Sequence, residues 1–171
     1  MPEEPPKELW GRHDHSLDER GRLTIPGELR SSLGTKCAVL CGPDDQIQIY
    51  PLQTWETMKA VLTNLSLADS LNEEVDALQT YLGNCDFASV DTQARLPLQR
   101  YLREWADLLE ENQAVVVIGK GDRIEVWNKD KFKIAAKRVK RPALALISAQ
   151  READTVKSQD TQPVNSAVQE A

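Results

Sequence analysis

Residues 17–30 read LDERGRLTIPGELR, and residues 90–103 read VDTQARLPLQRYLR. The two stretches align without a gap. Leu17 meets Val90, Asp18 meets Asp91, Arg22 meets Arg95, Leu23 meets Leu96, Ile25 meets Leu98 and Arg30 meets Arg103. A second block repeats at an offset four residues larger, CAVLCGPDDQIQIYPLQTW (37–55) on AVVVIGKGDRIEVWNKDKF (114–132). It sets Gly42 on Gly119, Ile47 on Ile124, Tyr50 on Trp127 and Trp55 on Phe132. Two ordered blocks at nearly one offset mark an internal duplication. Each copy is about 45 residues, near the lower limit for a core that stands alone. No disulfide or metal pattern supports one. The copies are therefore expected to fold together, their hairpins interleaved about a pseudo-two-fold axis in one barrel-like sheet.

Each copy carries the same local pattern. A short strand leads to a tight turn at Glu19–Gly21, and a second strand follows with Leu23 and Ile25 on one face and Arg22 and Thr24 on the other. Pro26 suits a first helical turn. Ile25, Leu29 and Leu33 then keep an apolar line, and Gly34 reads as the stop. A hairpin follows: Cys37–Cys41, a turn at Gly42–Asp45, and Ile47–Tyr50. The four extra residues of the second copy are assigned to a longer helix. Between the copies, one helix is expected from about Thr54 to Leu65. A second is expected after Ser70, with a Ser70-x-x-Glu73 capping box, an apolar stripe of Leu71, Val75, Leu78 and Leu82, and Gly83 as its end. KFKIAAKRVKR extends as a basic helix that Pro142 ends. The expected organisation is a disordered N-terminus (1–8), a first repeat (12–54), linking helices (55–83), a second repeat (85–128), a basic helix or tail (129–149) and a disordered tail (150–171). The class is α+β.

Charge is segregated. The chain carries a net charge of −6, yet residues 131–151 hold seven Lys/Arg and no Asp or Glu. The remainder is strongly acidic, which argues against a protein that coats nucleic acid without selection but leaves room for local basic sites. The stretch 131–141, with six Lys/Arg, is either a solvated helix end or a sequence-independent phosphate contact. No apolar run approaches the roughly 20 residues of a membrane span, and no signal peptide is legible. A cytoplasmic location without membrane contact is expected. Cys37, Cys41 and Cys85 read as reduced thiols, with Cys37 and Cys41 on one face of a strand and too far apart to bond.

The chemistry concentrates in Asp18-x-x-Gly21-Arg22. An Asp at the start of a turn accepts loop N–H groups, and Gly supplies a positive φ. The same Asp pairs with Arg22 across the turn, and a held guanidinium loses less entropy on meeting a phosphate or a guanine edge. The plainer alternative is a hairpin with a surface ion pair. The second motif, Asp91 to Arg95, and the nearby Arg12 and Arg20 favour binding. His13 and His15 share a strand face but have no counterpart in the second copy and no further ligand at a recognisable spacing, so no metal site is expected. No nucleophile–base pair, P-loop or G-x-G-x-x-G occurs. No catalytic residue, no cofactor and no small-molecule substrate is expected, and the chain is not expected to be an enzyme.

These features together resemble the MraZ family, bacterial transcriptional regulators built from two SpoVT/AbrB-like repeats. The resemblance covers roughly residues 9–132 and rests on Asp18 to Arg22, Asp91 to Arg95, and Tyr50-Pro51-Leu52 with Trp55 after the first hairpin. It implies a swapped-hairpin (double-split, AbrB-like) β-barrel and a ring-shaped homo-oligomer. It also implies nucleoid association and binding of double-stranded DNA at direct repeats upstream of the division and cell-wall gene cluster. Carried over residue by residue, Arg22 contacts DNA, Asp18 orients it and Gly21 forms the turn. Ala94 stands in the place of that glycine and Gln99 in the place of Pro26. The first motif is therefore taken as the principal reader, and Arg95 as structural or secondary. The alternative from another class is a protein-interaction module of the swapped-hairpin antitoxin type, holding a basic partner through its acidic tail.

Overall fold

The computed structural model describes residues 8–68 and 72–160. The chain order is β1 (Leu9–Ser16), β2 (Arg22–Thr24), α1 (Gly27–Leu33), β3 (Lys36–Cys41), β4 (Ile47–Pro51), α2 (Leu52–Ala68), α3 (Glu73–Gly83), β5 (Cys85–Ser89), β6 (Arg95–Pro97), α4 (Arg100–Trp105), β7 (Ala114–Gly121), β8 (Ile124–Asn128) and α5 (Lys129–Asp160). It divides into two compact units after Phe132. All of the duplicated sequence lies in the first.

The duplication explains the sheet. Six strands pair in the order β1-β7-β8-β4-β3-β5, every pair antiparallel. The opening strand of each copy pairs with the hairpin of the other: Leu9–Ser16 runs along Gly121–Ala114, and Cys85–Ser89 runs along Leu40–Lys36. Exchanging the copies turns the strand order into its own reverse, so the pseudo-two-fold axis passes between β4 and β8, where Gln48 faces Glu125. The interleaving is as expected, but the ladder does not close into a barrel. Among the described residues β1 and β5 are its two ends, and the short strands β2 and β6 pair with each other as a separate ribbon. A single bridge, Leu17 to Leu23, ties the ribbon back to the end of β1.

Strand alternation divides the apolar residues between two layers. On one face, Val39, Ile47, Ile49, Val115, Val117, Ile124 and Val126 meet Leu23 and Leu96 of the ribbon, Leu29 and Leu33 of α1 and Leu102 of α4. On the other face, Ala38, Leu40 and Tyr50 meet Trp55 of α2 and Leu82 of α3. Burial of this kind contributes about 1.5–3 kcal/mol for each large apolar side chain, and it fixes the ribbon by its inward leucines. All three cysteines are free thiols, and burial pushes the Cys37 thiol up to about 12.

Several local expectations are corrected. α2 begins at Leu52, two residues before Thr54. The cap of α3 is Asn72 and not the Ser70 box: its side-chain oxygen accepts the N–H groups of Glu74 at 2.9 Å and Val75 at 3.3 Å. Ser70 and Leu71 lie outside the described residues. The four extra residues of the second copy do not lengthen a helix, since α4 has 6 residues against 7 in α1. They fall in the turn that follows α4, where Asp107 and Asn112 take positive φ. Pro142 does not end the basic helix; α5 runs through it to Asp160. A proline there removes one helical hydrogen bond, and the Ala and Leu residues after it are strong helix formers that carry the helix on. The segments expected to be disordered, 1–8 and 150–171, lie largely outside the described residues, although the helix includes 150–160.

Candidate nucleic-acid interface

The turn after β1 is built around one carboxylate. Asp18 Oδ1 accepts the backbone N–H groups of Arg20 at 3.0 Å and Arg22 at 2.8 Å, and Oδ2 accepts Arg22 Nε at 2.7 Å. The Gly21 N–H donates to the Asp18 carbonyl at 2.8 Å. Partial burial pushes the Asp18 carboxyl up. The hydrogen bonds from the Arg22 backbone and side chain and from the Arg20 backbone outweigh that, so it sits below the ordinary carboxylate value. The Asp therefore stays ionised, shapes the loop and holds the Arg22 side chain through Nε. Nothing in this arrangement uses the outer guanidinium nitrogens.

The second turn repeats this atom for atom. Asp91 Oδ1 accepts the N–H groups of Gln93 and Arg95 at 2.9 Å each, and Oδ2 accepts Arg95 Nε at 2.9 Å. The backbone N–H of Arg95 is the largest influence holding the Asp91 carboxyl low, outweighing desolvation, with the Arg95 side chain helping. Gly21 has φ of 70° and Ala94, in the same place, has φ of 63°. The alanine thus adopts the left-handed conformation that glycine takes freely, at a cost of about 1–2 kcal/mol. A Cβ at Gly21 would lie 2.5 Å from Arg103 Cζ, so the glycine also makes room for a guanidinium. Gly21→Ala is expected to destabilise the protein by about 1–2 kcal/mol. Ala94→Gly is expected to leave stability unchanged or raise it by up to about 1 kcal/mol, because relief of strain exceeds the lost chain stiffness. Urea unfolding of the two variants checks both signs.

The ribbon joins the two turns. Arg22 faces Pro97, Leu23 faces Leu96 and Thr24 faces Arg95. Leu23 and Leu96 point into the core, so Arg22, Thr24, Arg95 and Pro97 share the opposite face. Diagonal neighbours on such a pair lie about 7–8 Å apart. Each guanidinium has its own carboxylate, at 2.7 Å for Arg22 and 2.9 Å for Arg95, so neither charge is left uncompensated. The site is a pair of held arginines on one small two-stranded surface.

The remaining candidates are placed differently. Arg20 is exposed in the first loop, and its counterpart Gln93 is neutral. Arg12 belongs to the other face of the main sheet, opposite Ile118. Its guanidinium lies 5.0 Å from the Phe132 ring centroid and 3.3 Å from Asp14. Arg12 is exposed there, on the sheet face opposite the ribbon. His13 Nε2 lies 3.6 Å from Glu28, and no cluster fit to hold a metal occurs among the described residues. Two arginines that sequence reasoning does not select belong to the site. Arg103 of α4 packs over Gly21 and donates Nε to the Leu98 carbonyl at 3.2 Å. Arg30 of α1 reaches the second loop, with Nη2 3.5 Å from the Thr92 carbonyl. They align with each other in the repeat, which is the available signal. Their reach into the opposite copy depends on the interleaving.

A family model described as "MraZ protein, putative antitoxin-like" matches residues 9–78. The protein named Transcriptional regulator MraZ from Halothermothrix orenii is 34% identical over 126 residues, which span 72% of this chain and 83% of that relative. The protein of the same name from Acetivibrio thermocellus is 33% identical over 125 residues, with the same coverage. That from Pediococcus pentosaceus is 33% identical over 130 residues, again 72% and 83% of the two chains.

Proposed function

The chain belongs to the MraZ family, and on that premise we propose that it is a transcriptional regulator that reads double-stranded DNA through the β2–β6 ribbon. The observation that carries the proposal is the pair of Asp-held arginines on one face of a two-stranded ribbon. A two-stranded ribbon fits the major groove, and a guanidinium whose Nε is already engaged still offers two nitrogens to a guanine edge or a phosphate. Arg22 and Arg95 are the base-reading candidates, with Arg20 beside them. Asp18 and Asp91 orient them, and Gly21 shapes the first turn. Arg12, on the other sheet face, lies outside this reading surface. The exchanged hairpins support the swapped-hairpin topology expected for this family.

One ribbon is small, and its affinity alone would be low. Assembly into a ring-shaped homo-oligomer places several ribbons at a high effective concentration, so neighbouring protomers engage successive direct repeats upstream of the division and cell-wall gene cluster. A closed ring cannot follow a straight duplex, so ring or DNA must deform on binding, and the deformability of the spacer contributes to selectivity. Such a protein works in the cytoplasm, on the nucleoid, without cofactor or catalysis. The test is titration of purified protein with DNA from upstream of its own gene and with a scrambled duplex of equal length. Tighter binding of the upstream DNA is expected; equal affinity for both overturns the proposal. The description of the family as antitoxin-like keeps a second reading, an interaction module for a basic protein partner. That reading gains if neither duplex binds.

A further inference from the structure

The two loops differ in charge while sharing their geometry. The first carries Arg20 at the position where the second carries Gln93, and the first also has Glu19 where the second has Thr92. Each loop receives one guanidinium from the helix of the other copy: Arg103 at the first, Arg30 at the second. These two arginines are equivalent in the repeat, yet they are seated differently. Arg103 lies flat over Gly21, where a Cβ would be 2.5–2.7 Å from its guanidinium atoms. The second loop has that Cβ, on Ala94, and it is buried. Its methyl fills the seat, so Arg30 stays outside, exposed, with its guanidinium at the rim of the loop near the Thr92 carbonyl. A hollow of about 410 Å³ opens there, walled by Arg30, Ser31, Thr35 and Asp91. The Asp91 charge is already balanced by Arg95.

We propose that Arg30 is a phosphate-binding residue of the second loop, supplied by the helix of the first repeat and held outward by the Ala94 methyl. The proposal rests on the DNA-reading function put forward above. The exposed guanidinium gives the second loop the cation that Gln93 withholds, and Ser31 and Thr35 add hydroxyl donors to the same hollow. Arg103 has the other role: it covers the first turn at Gly21 and donates to the Leu98 carbonyl.

A phosphate contact and a structural one separate in the salt dependence. Each phosphate neutralised adds about 0.9 to the slope of log affinity against log salt. Arg30→Gln is expected to lower that slope by about 1 for each protomer engaged, to weaken upstream and scrambled duplexes alike, and to leave the thermal melt unchanged. Arg30→Lys, which keeps the charge without the planar fork, is expected to keep the wild-type slope. An unchanged slope in Arg30→Gln overturns the proposal, as does a loss in Arg30→Lys equal to that in Arg30→Gln. Should Arg30→Gln not fold, Arg30→Ala takes its place: the same fall in slope is expected, and an unchanged slope overturns the proposal. Wild-type protein that binds neither duplex overturns the DNA-reading function and this inference with it. Wild-type binding with an unaltered Arg30→Gln slope removes this inference alone.

Discussion

Arg22→Ala and Arg95→Ala are each expected to weaken binding of the upstream duplex by about 1–3 kcal/mol, roughly 5- to 150-fold, and by similar amounts. The size follows from the chemistry of a guanidinium at a base edge: its loss removes hydrogen bonds made by a charged donor in a fixed fork. The similarity follows from geometry. The two turns carry the same three carboxylate hydrogen bonds at 2.7–3.0 Å, and their arginines stand on one face of one ribbon. Both variants should also lose preference for the upstream sequence, whereas removal of a phosphate-binding cation elsewhere weakens all duplexes equally. Anisotropy titrations at one fixed salt concentration, with upstream and scrambled duplexes, measure affinity and preference together. If Arg95→Ala retains wild-type affinity while Arg22→Ala loses it, the first loop alone reads and the second completes the fold.

The matching geometry of the two turns is not legible in the sequence. Ala94 in place of glycine suggests a second turn of another shape, because an alanine avoids positive φ when it is free to choose. Tertiary context decides instead: the Asp91 carboxylate accepts two loop N–H groups, the Ala94 N–H donates to the Asp91 carbonyl at 2.9 Å, and its own carbonyl accepts the Ile25 N–H at 2.8 Å. The alignment of Asp18 with Asp91 is enough to locate the motif, and the short copy length is enough to foresee exchanged hairpins. Periodicity places Leu23 and Ile25 in the core. It cannot place Arg30 and Arg103, since the loops they reach, at Thr92 and Gly21, belong to the other copy, far along the chain. Nor can it place the end of α5, where a proline looks like a stop and its helix-forming neighbours prevail.

The central strand pair also holds a charge that alternation alone does not reveal. Glu125 is 1% exposed and lies on the sheet face away from the ribbon. Its Oε1 accepts Arg123 Nε at 3.0 Å, its Oε2 accepts Trp127 Nε1 at 3.1 Å, and Lys120 Nζ stands 3.4 Å away. Across the pseudo-two-fold axis the same place is held by a neutral residue, Gln48, which accepts from Tyr50 and Tyr81 hydroxyls at 3.1 Å and 3.3 Å. Arg123→Ala leaves a buried carboxylate with one remaining cation, the half-exposed Lys120 at 3.4 Å. It is expected to cost about 3 kcal/mol, the low end for an orphaned buried charge because Lys120 remains. Adding Glu125→Gln removes the charge and keeps an acceptor for Trp127, as the Gln48 site shows a neutral amide can. The double variant is therefore expected to recover to within about 1 kcal/mol of wild type. Urea unfolding at one fixed protomer concentration measures the cycle, since assembly adds to apparent stability by mass action. Equal destabilisation of the single and double variants would mean that Arg123 acts through packing of its stem, and that the Glu125 charge is held by Lys120 alone.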